Sequence, residues 1–155
     1  MKFDGVQYCK QINGYDCVPC AITNSIKWAG IPISYKKSRK RLEKIFKLEK
    51  GKGVSTQDVF NALDGQELPF KIKKITFRSK YSTVQKHLDK GGAVIFSFLT
   101  GANSAHVVFV HKNYDKDHMH VVNYFGHTTH TIVAKTYMEV HLSNSSFLIF
   151  IEKLS

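Results

Sequence analysis

Cysteine is scarce in this chain, with three residues in 155. So small and odd a number does not make a disulfide framework, which excludes the small secreted domains held together by several disulfides and favours free thiols in a reducing compartment. The first seven residues, which include Asp4 and Gln7, lack the apolar core of a secretory signal. We therefore expect export by a general signal to be absent and the protein to be cytoplasmic.

Long apolar runs are also missing, because none approaches the roughly 18 residues that a membrane helix needs. Proline is limited to 3 residues, and 43% of the chain is hydrophobic, which is typical of an ordered globular fold. Repeats, low-complexity segments and linkers are not visible. The sequence therefore predicts a single domain, residues 1–155, without a membrane segment.

Acidic residues are few, with 12 Asp and Glu against 23 Lys and Arg, and the formal net charge is +11. The basic residues concentrate on a predicted helix, residues 36–50. They would form either a solvated face of that helix or a surface that attracts an acidic protein partner or nucleic acid. Aromatic residues do not interleave with these charges as a base-stacking platform requires, so we prefer the solvated face.

The first half of the chain has the apolar spacing of helices. One helix is predicted to begin at Cys17, with Asp16 as its N-cap and Pro19 in its first turn, and a second is predicted to be capped by Ser34. Ser55-Thr56-Gln57-Asp58 matches the capping pattern that opens another helix. The predicted helices cover residues 17–28, 34–50 and 55–64.

The second half alternates as strands do. The predicted strands cover residues 70–77, 93–99, 106–110, 118–123, 128–133 and 147–151, with short helices at 82–90 and 134–141. The first strand changes phase across Lys73-Lys74, which indicates a bulge or a bend. Helices followed by an antiparallel sheet predict an α+β fold with the helices on one side of the sheet.

A turn-rich segment from Gln11 leads to Cys17 in the first turn of a helix. Unpaired backbone N–H groups and the positive end of the helix dipole favour a thiolate there, so we expect Cys17 to react with iodoacetamide faster than Cys9 or Cys20 at mildly acidic pH. A cysteine nucleophile needs a base, and the base needs an orienting partner. His106 and Asn123 fit these roles, because antiparallel pairing of their strands would bring them together.

These residues resemble those of the papain-like double-glycine leader peptidases, the peptidase domain of bacteriocin-exporting ABC transporters. The resemblance lies in Gln11, in Asp16-Cys17 at the head of an apolar helix, and in His106 followed 17 residues later by Asn123. It implies a papain-like cysteine peptidase fold, a peptide or protein substrate and no cofactor.

The resemblance also implies a role for each residue. Cys17 would be the nucleophile, His106 the general base and acid, and Asn123 the residue that orients the imidazole. Gln11 and the backbone N–H of Cys17 would stabilise the oxyanion while a peptide or isopeptide bond is cleaved. The chain departs from the family pattern at Val18, where glycine is usual, and at Asn123, where aspartate is usual.

Other interpretations of the same residues stay open. A catalytically inactive domain would use the same cleft, or the basic helix, to bind a partner. Cys17 and Cys20 also form a C-x-x-C pair, which is typical of thiol oxidoreductases, although a thioredoxin-like fold would place a clear strand before that motif. The two cysteines would alternatively join a histidine pair in a structural zinc site. The histidine pairs that fit are His118 with His120 and His127 with His130.

Overall fold

The computed structural model describes residues 5–12, 16–46, 63, 67–75, 80–101, 104–125, 128–145 and 148–154. The helices are α1 (Cys17–Trp28), α2 (Tyr35–Phe46), α3 (Tyr81–Asp89) and α4 (Lys135–Ser143). The strands are β1 (Phe70–Ile75), β2 (Ala93–Gly101), β3 (Ser104–Asp115), β4 (His118–Val122), β5 (His130–Ala134) and β6 (Leu148–Lys153). Within these ranges no helix has both the length and the apolar character needed to cross a membrane.

The strands form one antiparallel sheet. In the described part of the chain it has six strands in the order β1-β6-β2-β3-β4-β5, and every neighbouring pair is antiparallel. The predicted hairpin is present, with β3 and β4 joined by a turn at Lys116 and Asp117. Helices followed by an antiparallel sheet confirm the predicted α+β class.

Apolar side chains cover both faces of the sheet, so the prediction that the helices lie on one side is wrong. We call the two halves of the core the α1 face and the α4 face. The α1 face buries residues of α1 and α2 against Ile95, Phe109 and Ile149. The α4 face buries residues of α3 and α4 against Phe96 and Val108. Neighbouring residues of a central strand point to opposite faces, which is why β2 and β3 are apolar almost throughout.

The first two helices form as predicted at their starts. α1 begins at Cys17 with Pro19 in its first turn, where the missing N–H leaves no bond unmade. The Ser34 hydroxyl accepts the Lys37 backbone N–H at 3.3 Å and caps α2. The two helices are joined by a buried hydrogen bond of 2.7 Å between Thr23 Oγ1 and Ser38 Oγ. The predicted end of α2 at residue 50 and most of the predicted helix 55–64 lie outside the described residues.

Strand β1 is regular, and the bulge predicted at Lys73-Lys74 is wrong. Its pairing with β6 runs without a shift from Phe70 to Ile75. Ile72 packs against the α1 face and Ile75 against the α4 face. The change of phase in the sequence therefore reflects a strand that contributes to both halves of the core.

Helix α3 begins at Tyr81, one residue before the predicted range of 82–90. Lys80 occupies the N-cap position, and no side chain caps this end. Ser82 consequently lies within the helix and is exposed. The predicted stop is correct, because the helix ends at Asp89 and Gly91 follows with a φ of 86°. A left-handed glycine after a helix is a common C-terminal signal.

Candidate active site

Cys17 is the first residue of α1, and its side chain packs at the edge of the α1 face. Burial raises the pKa of its thiol, and the nearby Asp16 carboxylate acts in the same direction. Backbone groups of Val107, Val18 and Cys17 itself favour the thiolate but are outweighed by burial. The expectation of a lowered Cys17 pKa is therefore wrong, because burial of the sulfur dominates over the helix end.

Strand β4 is shorter than β3, and this leaves the beginning of the β3 backbone without a β4 neighbour close to the candidate site. The last residue pair between the two strands is Phe109 with Val122, so the beginning of β3 has no β4 partner. Val107, in this unpaired stretch, is the residue whose backbone hydrogen bonds to the Cys17 sulfur. The early end of β4 thus allows the N-terminus of α1 to approach the sheet backbone.

The backbone turns sharply at Asn123, immediately after β4. Its φ is 63°, in the left-handed region that asparagine enters more readily than most residues. Its carbonyl oxygen lies 2.6 Å from Nε2 of His106. Because a carbonyl oxygen can only accept a hydrogen bond, Nε2 carries the proton, and Nδ1 is the basic nitrogen of the neutral ring.

The Asn123 side chain is bonded to Gln11 instead of to His106. Its Nδ2 donates to Gln11 Oε1 at 2.8 Å, and its Oδ1 accepts the Gln11 backbone N–H at 3.0 Å. Asn123 is 2% exposed, so both hydrogen bonds are shielded from water. The structure therefore brings His106, Asn123 and Gln11 together, but the backbone of Asn123 meets the imidazole and its amide holds Gln11.

Gln11 and His106 line the same cleft, whose volume is about 530 Å³. His106 is partly buried, and burial lowers the pKa of its imidazole, although the Asn123 carbonyl acts in the opposite direction. The other residues around the cleft are mostly apolar or aromatic. They are Phe98, Leu99, Thr100, Ser104, Ala105, Tyr124, Phe125 and His141.

The His106 imidazole and the Cys17 thiol pack against different halves of the core. His106 pairs with Phe98, a residue of the α4 face, and the centres of these two rings are 5.9 Å apart. Cys17 packs against the α1 face. Within the described ranges no hydrogen bond joins the Cys17 thiol to the His106 imidazole. The structure brings three of the four candidate residues into one cluster and leaves Cys17 adjacent, behind the Val107 backbone.

A buried carboxylate lies next to Cys17 in the chain. Asp16 occupies the N-cap position of α1, but its side chain does not cap the helix as predicted. It accepts the Ile12 backbone N–H at 3.0 Å and the Tyr35 hydroxyl, and it pairs with Arg39 at 3.4 Å. Asp16 therefore ties the residue next to Gln11 to helix α2.

The contacts of the cysteines and histidines bear on two of the alternative interpretations, the C-x-x-C redox pair and the structural zinc site. All three cysteines are free, and the sulfur of the buried Cys20 lies 4.0 Å from that of Cys9. His118 contacts Asp115, and His120 contacts His130. His127 lies outside the described residues. Among those described, no three His, Cys, Asp or Glu side chains are grouped as metal ligands. These contacts favour neither a Cys17–Cys20 redox pair nor a zinc site.

The basic helix is exposed where it is described. Lys36, Lys37, Lys40 and Arg41 face solvent, whereas Arg39 turns inward to Asp16. The acidic partner or nucleic acid expected at residues 36–50 remains a prediction.

The aromatic side of the cleft could not be recognised in the sequence. The Phe98 ring stacks on His141 with centres 4.0 Å apart, and the Tyr124 hydroxyl is hydrogen bonded to His141 Nε2. Tyr124 directly follows Asn123, which is the one local signal for its place. Phe98 and His141 come from β2 and α4, and only the packing of α4 across the sheet brings them together.

The architecture is that of papain-like cysteine peptidases of the double-glycine type. The peptidase domain of Streptococcus ComA, a bifunctional ABC transporter of a quorum-sensing pathway, superposes with a TM-score of 0.70 at 18% identity, covering 96% of this chain and 100% of that domain. A double-glycine motif protease from an AMS/PCAT transporter, solved with its leader peptide, gives a TM-score of 0.65 at 11% identity and coverages of 96% and 92%.

A protein from Bacillus anthracis described as a C39-like peptidase gives a TM-score of 0.66 at 16% identity, with coverages of 97% and 96%. The sequence itself matches no protein-family model and no curated protein. At these identities the likeness concerns the fold, and it confirms the papain-like fold that the resemblance implied.

Proposed function

We propose that this protein is a cysteine peptidase with Cys17 as nucleophile and His106 as base. The bond that it cleaves would be the peptide bond after a leader segment, or an isopeptide bond. The observation that carries the proposal is the hydrogen bond from His106 Nε2 to the Asn123 carbonyl oxygen. It leaves Nδ1 as the basic nitrogen of the ring, and the backbone of the next residue, Val107, hydrogen bonds to the Cys17 sulfur. Asn123 thus orients the imidazole through its main chain.

The pKa directions suit a neutral pair. The pKa of the Cys17 thiol is raised and that of His106 is lowered, so both groups are uncharged before substrate binds. In the proposed reaction Nδ1 of His106 takes the Cys17 thiol proton as the sulfur attacks the carbonyl carbon of a peptide bound in the cleft. The imidazolium then protonates the leaving amine, and water cleaves the thioester.

Gln11 and the backbone N–H of Cys17 would stabilise the oxyanion. The bond from Asn123 Nδ2 to Gln11 Oε1 fixes which end of the Gln11 amide carries the oxygen. The opposite end carries the N–H donors that an oxyanion requires. Gln11 also lines the cleft, where a scissile carbonyl would lie.

A peptide is the substrate class that the cleft fits. Aromatic and aliphatic side chains line it together with polar side chains such as Gln11, Ser104 and His106, a mixture that suits the apolar and polar groups of a peptide. The leader peptide bound to one of the structural neighbours supports the same class.

Cleavage of a proteome-derived peptide library, read by mass spectrometry as new termini, tests the proposal. We expect the wild-type protein to produce new termini at one recurring sequence and Cys17→Ala to produce none. His106→Ala should reduce the rate by at least about 10²-fold, the usual contribution of a general base. Cleavage that persists in Cys17→Ala would refute the proposal.

The roles of Asn123 can be separated by two substitutions. Asn123→Gly keeps the positive φ and the carbonyl that meets His106, but it removes both bonds to Gln11. If the amide positions Gln11, Asn123→Gly and Gln11→Ala should each reduce the rate by about 10²–10³-fold, as loss of an oxyanion donor does, and the double variant should be no slower than either alone. If the rate losses of the two single variants add in the double variant, Asn123 does not act through Gln11.

A peptidase-like binding module is the second candidate. The raised Cys17 pKa and the missing thiol–imidazole hydrogen bond favour it. Such a module would retain peptides from the same library equally well in the wild-type and Cys17→Ala forms and would cleave none of them.

A further inference from the structure

Cys9 and Cys20 form a pair of thiols that the proposed peptidase reaction does not use. Their sulfurs are 4.0 Å apart, and both cysteines are reduced. Cys9 lies in the segment that leads to Gln11, and Cys20 lies in the first turns of α1. A disulfide requires the sulfurs to approach to about 2.05 Å, so a shift of about 2 Å separates this arrangement from a bond.

One buried side chain holds both cysteines in place. Asn24, which is 0% exposed, accepts the Cys9 backbone N–H at 2.9 Å and donates to the Cys9 carbonyl at 3.0 Å. The Cys9 thiol donates to Asn24 Oδ1 at 3.3 Å, and Asn24 Nδ2 lies 3.7 Å from the Cys20 sulfur. The two thiols are therefore kept together by a hydrogen-bonded site and not by chance packing.

The two thiols differ in character. Cys9 is partly exposed, and its hydrogen bond with Cys20 lowers its pKa. Cys20 is fully buried, and the same hydrogen bond together with burial raises its pKa. A partly exposed thiol whose pKa is lowered is the one that oxidants attack first, and an adjacent second cysteine resolves the product.

We propose that Cys9 and Cys20 are a reversible oxidation site, in which a hydroperoxide converts the two thiols to a disulfide. The Cys9 thiolate attacks one peroxide oxygen, the O–O bond breaks, and the displaced hydroxide leaves as water after protonation. The Cys20 sulfur then attacks the sulfenic sulfur of Cys9, the S–O bond breaks, and the departing hydroxide takes the Cys20 proton. Two thiols and one hydrogen peroxide thus give one disulfide and two waters.

The disulfide would act on the candidate active site through Gln11. Cys9 is two residues before Gln11, whose side chain and backbone bond Asn123. Drawing the Cys9 sulfur toward Cys20 would shift the segment that carries Gln11. Formation of the disulfide does not depend on peptidase activity, whereas its effect on cleavage rests on the proposed function.

The test oxidises the folded protein with hydrogen peroxide, blocks the remaining thiols with N-ethylmaleimide and maps the peptides by mass spectrometry. We expect a Cys9–Cys20 disulfide in the wild-type protein and in Cys17→Ser, and its reversal by dithiothreitol. Before oxidation, iodoacetamide should label Cys9 ahead of Cys17 at neutral pH, because the Cys9 pKa is lowered and the Cys17 pKa is raised.

Cys9→Ser and Cys20→Ala should abolish the disulfide, and Trp28 fluorescence establishes that each variant is folded. A disulfide that includes Cys17, or Cys9 oxidised to a sulfinic acid while Cys20 remains a thiol, would overturn the proposal. The effect on the site is measured on Cys17, whose iodoacetamide labelling rate should change on oxidation in the wild-type protein and not in Cys20→Ala. This readout needs no peptide substrate, so failure of the proposed peptidase leaves it interpretable.

Discussion

Asp16 offers a direct test of how the candidate site is held to the fold. Its carboxylate is 0% exposed, and its partners include the Ile12 backbone N–H, the Tyr35 hydroxyl and Arg39. Asp16→Ala removes the carboxylate that these groups share. Removing one partner of a buried ion pair lowers the free energy of unfolding by about 3–5 kcal/mol. The Arg39 side chain is 22% exposed and can regain water, so we expect the lower value of about 3 kcal/mol.

Urea unfolding followed by the fluorescence of Trp28, the one tryptophan of the sequence, measures this loss. Trp28 is buried at 6% exposure, so its emission reports unfolding. With an m-value of about 2 kcal/mol per M, the midpoint should fall by about 1.5 M. Asp16→Asn keeps a hydrogen-bond acceptor and removes only the charge, so we expect the free energy of unfolding to fall by about 1–2 kcal/mol.

Asp117→Ala is the matched control, because Asp117 is an exposed aspartate in the β3–β4 turn. Exposed substitutions of this kind change stability by less than about 0.5 kcal/mol. If Asp16→Ala unfolds at the same urea concentration as Asp117→Ala, the carboxylate does not hold the segment before Cys17. Cys17 labelling in the same variants then shows whether the segment has moved.

Two further predictions concern histidines. Gly92→Ala would place a Cβ within 2.8 Å of His87 Cδ2, in a ring held by the Ala93 and Ile151 carbonyls. We expect the free energy of unfolding to fall by about 1–3 kcal/mol, which lowers the Tm measured by calorimetry by about 2–12 °C. The control Lys90→Ala, at an exposed position, should leave the Tm unchanged. Burial lowers the pKa of His106 and His141, so the unfolded chain binds more protons and stability falls below pH of about 6.5. The urea midpoint should be lower at pH 5.5 than at pH 7.5, and less so in His141→Gln; a midpoint that does not fall on acidification would contradict this.

The sequence predicts most of the elements because local signals mark their ends. Asp16 and Pro19 mark the start of α1, and the apolar runs of β2 and β3 identify the central strands. The same apolar runs predict strands that are covered on both faces, but they do not predict which helices provide the cover. A strand that is apolar throughout requires cover on both faces, yet the amphipathic pattern of the helices alone does not say which face each one takes.

The sequence predicts that His106 and Asn123 lie together, but it does not predict which of their atoms meet. The hairpin register is enough to bring His106 near Asn123. The sign of φ at Asn123 depends on the turn after β4, and it decides that the carbonyl meets the imidazole while the amide meets Gln11. The pKa of Cys17 depends on how deeply the thiol is buried, which no local pattern reports.

The division of the candidate site between two separately packed halves of the core has a consequence for ligand design and for engineering. A compound that fills the aromatic cleft meets Phe98, Tyr124 and His141, whereas the Cys17 sulfur packs against the α1 face. Substitutions in α4 would therefore alter ligand affinity while leaving the thiol environment intact. Substitutions in α1 would alter thiol chemistry while leaving affinity intact, so the two properties can be tuned independently.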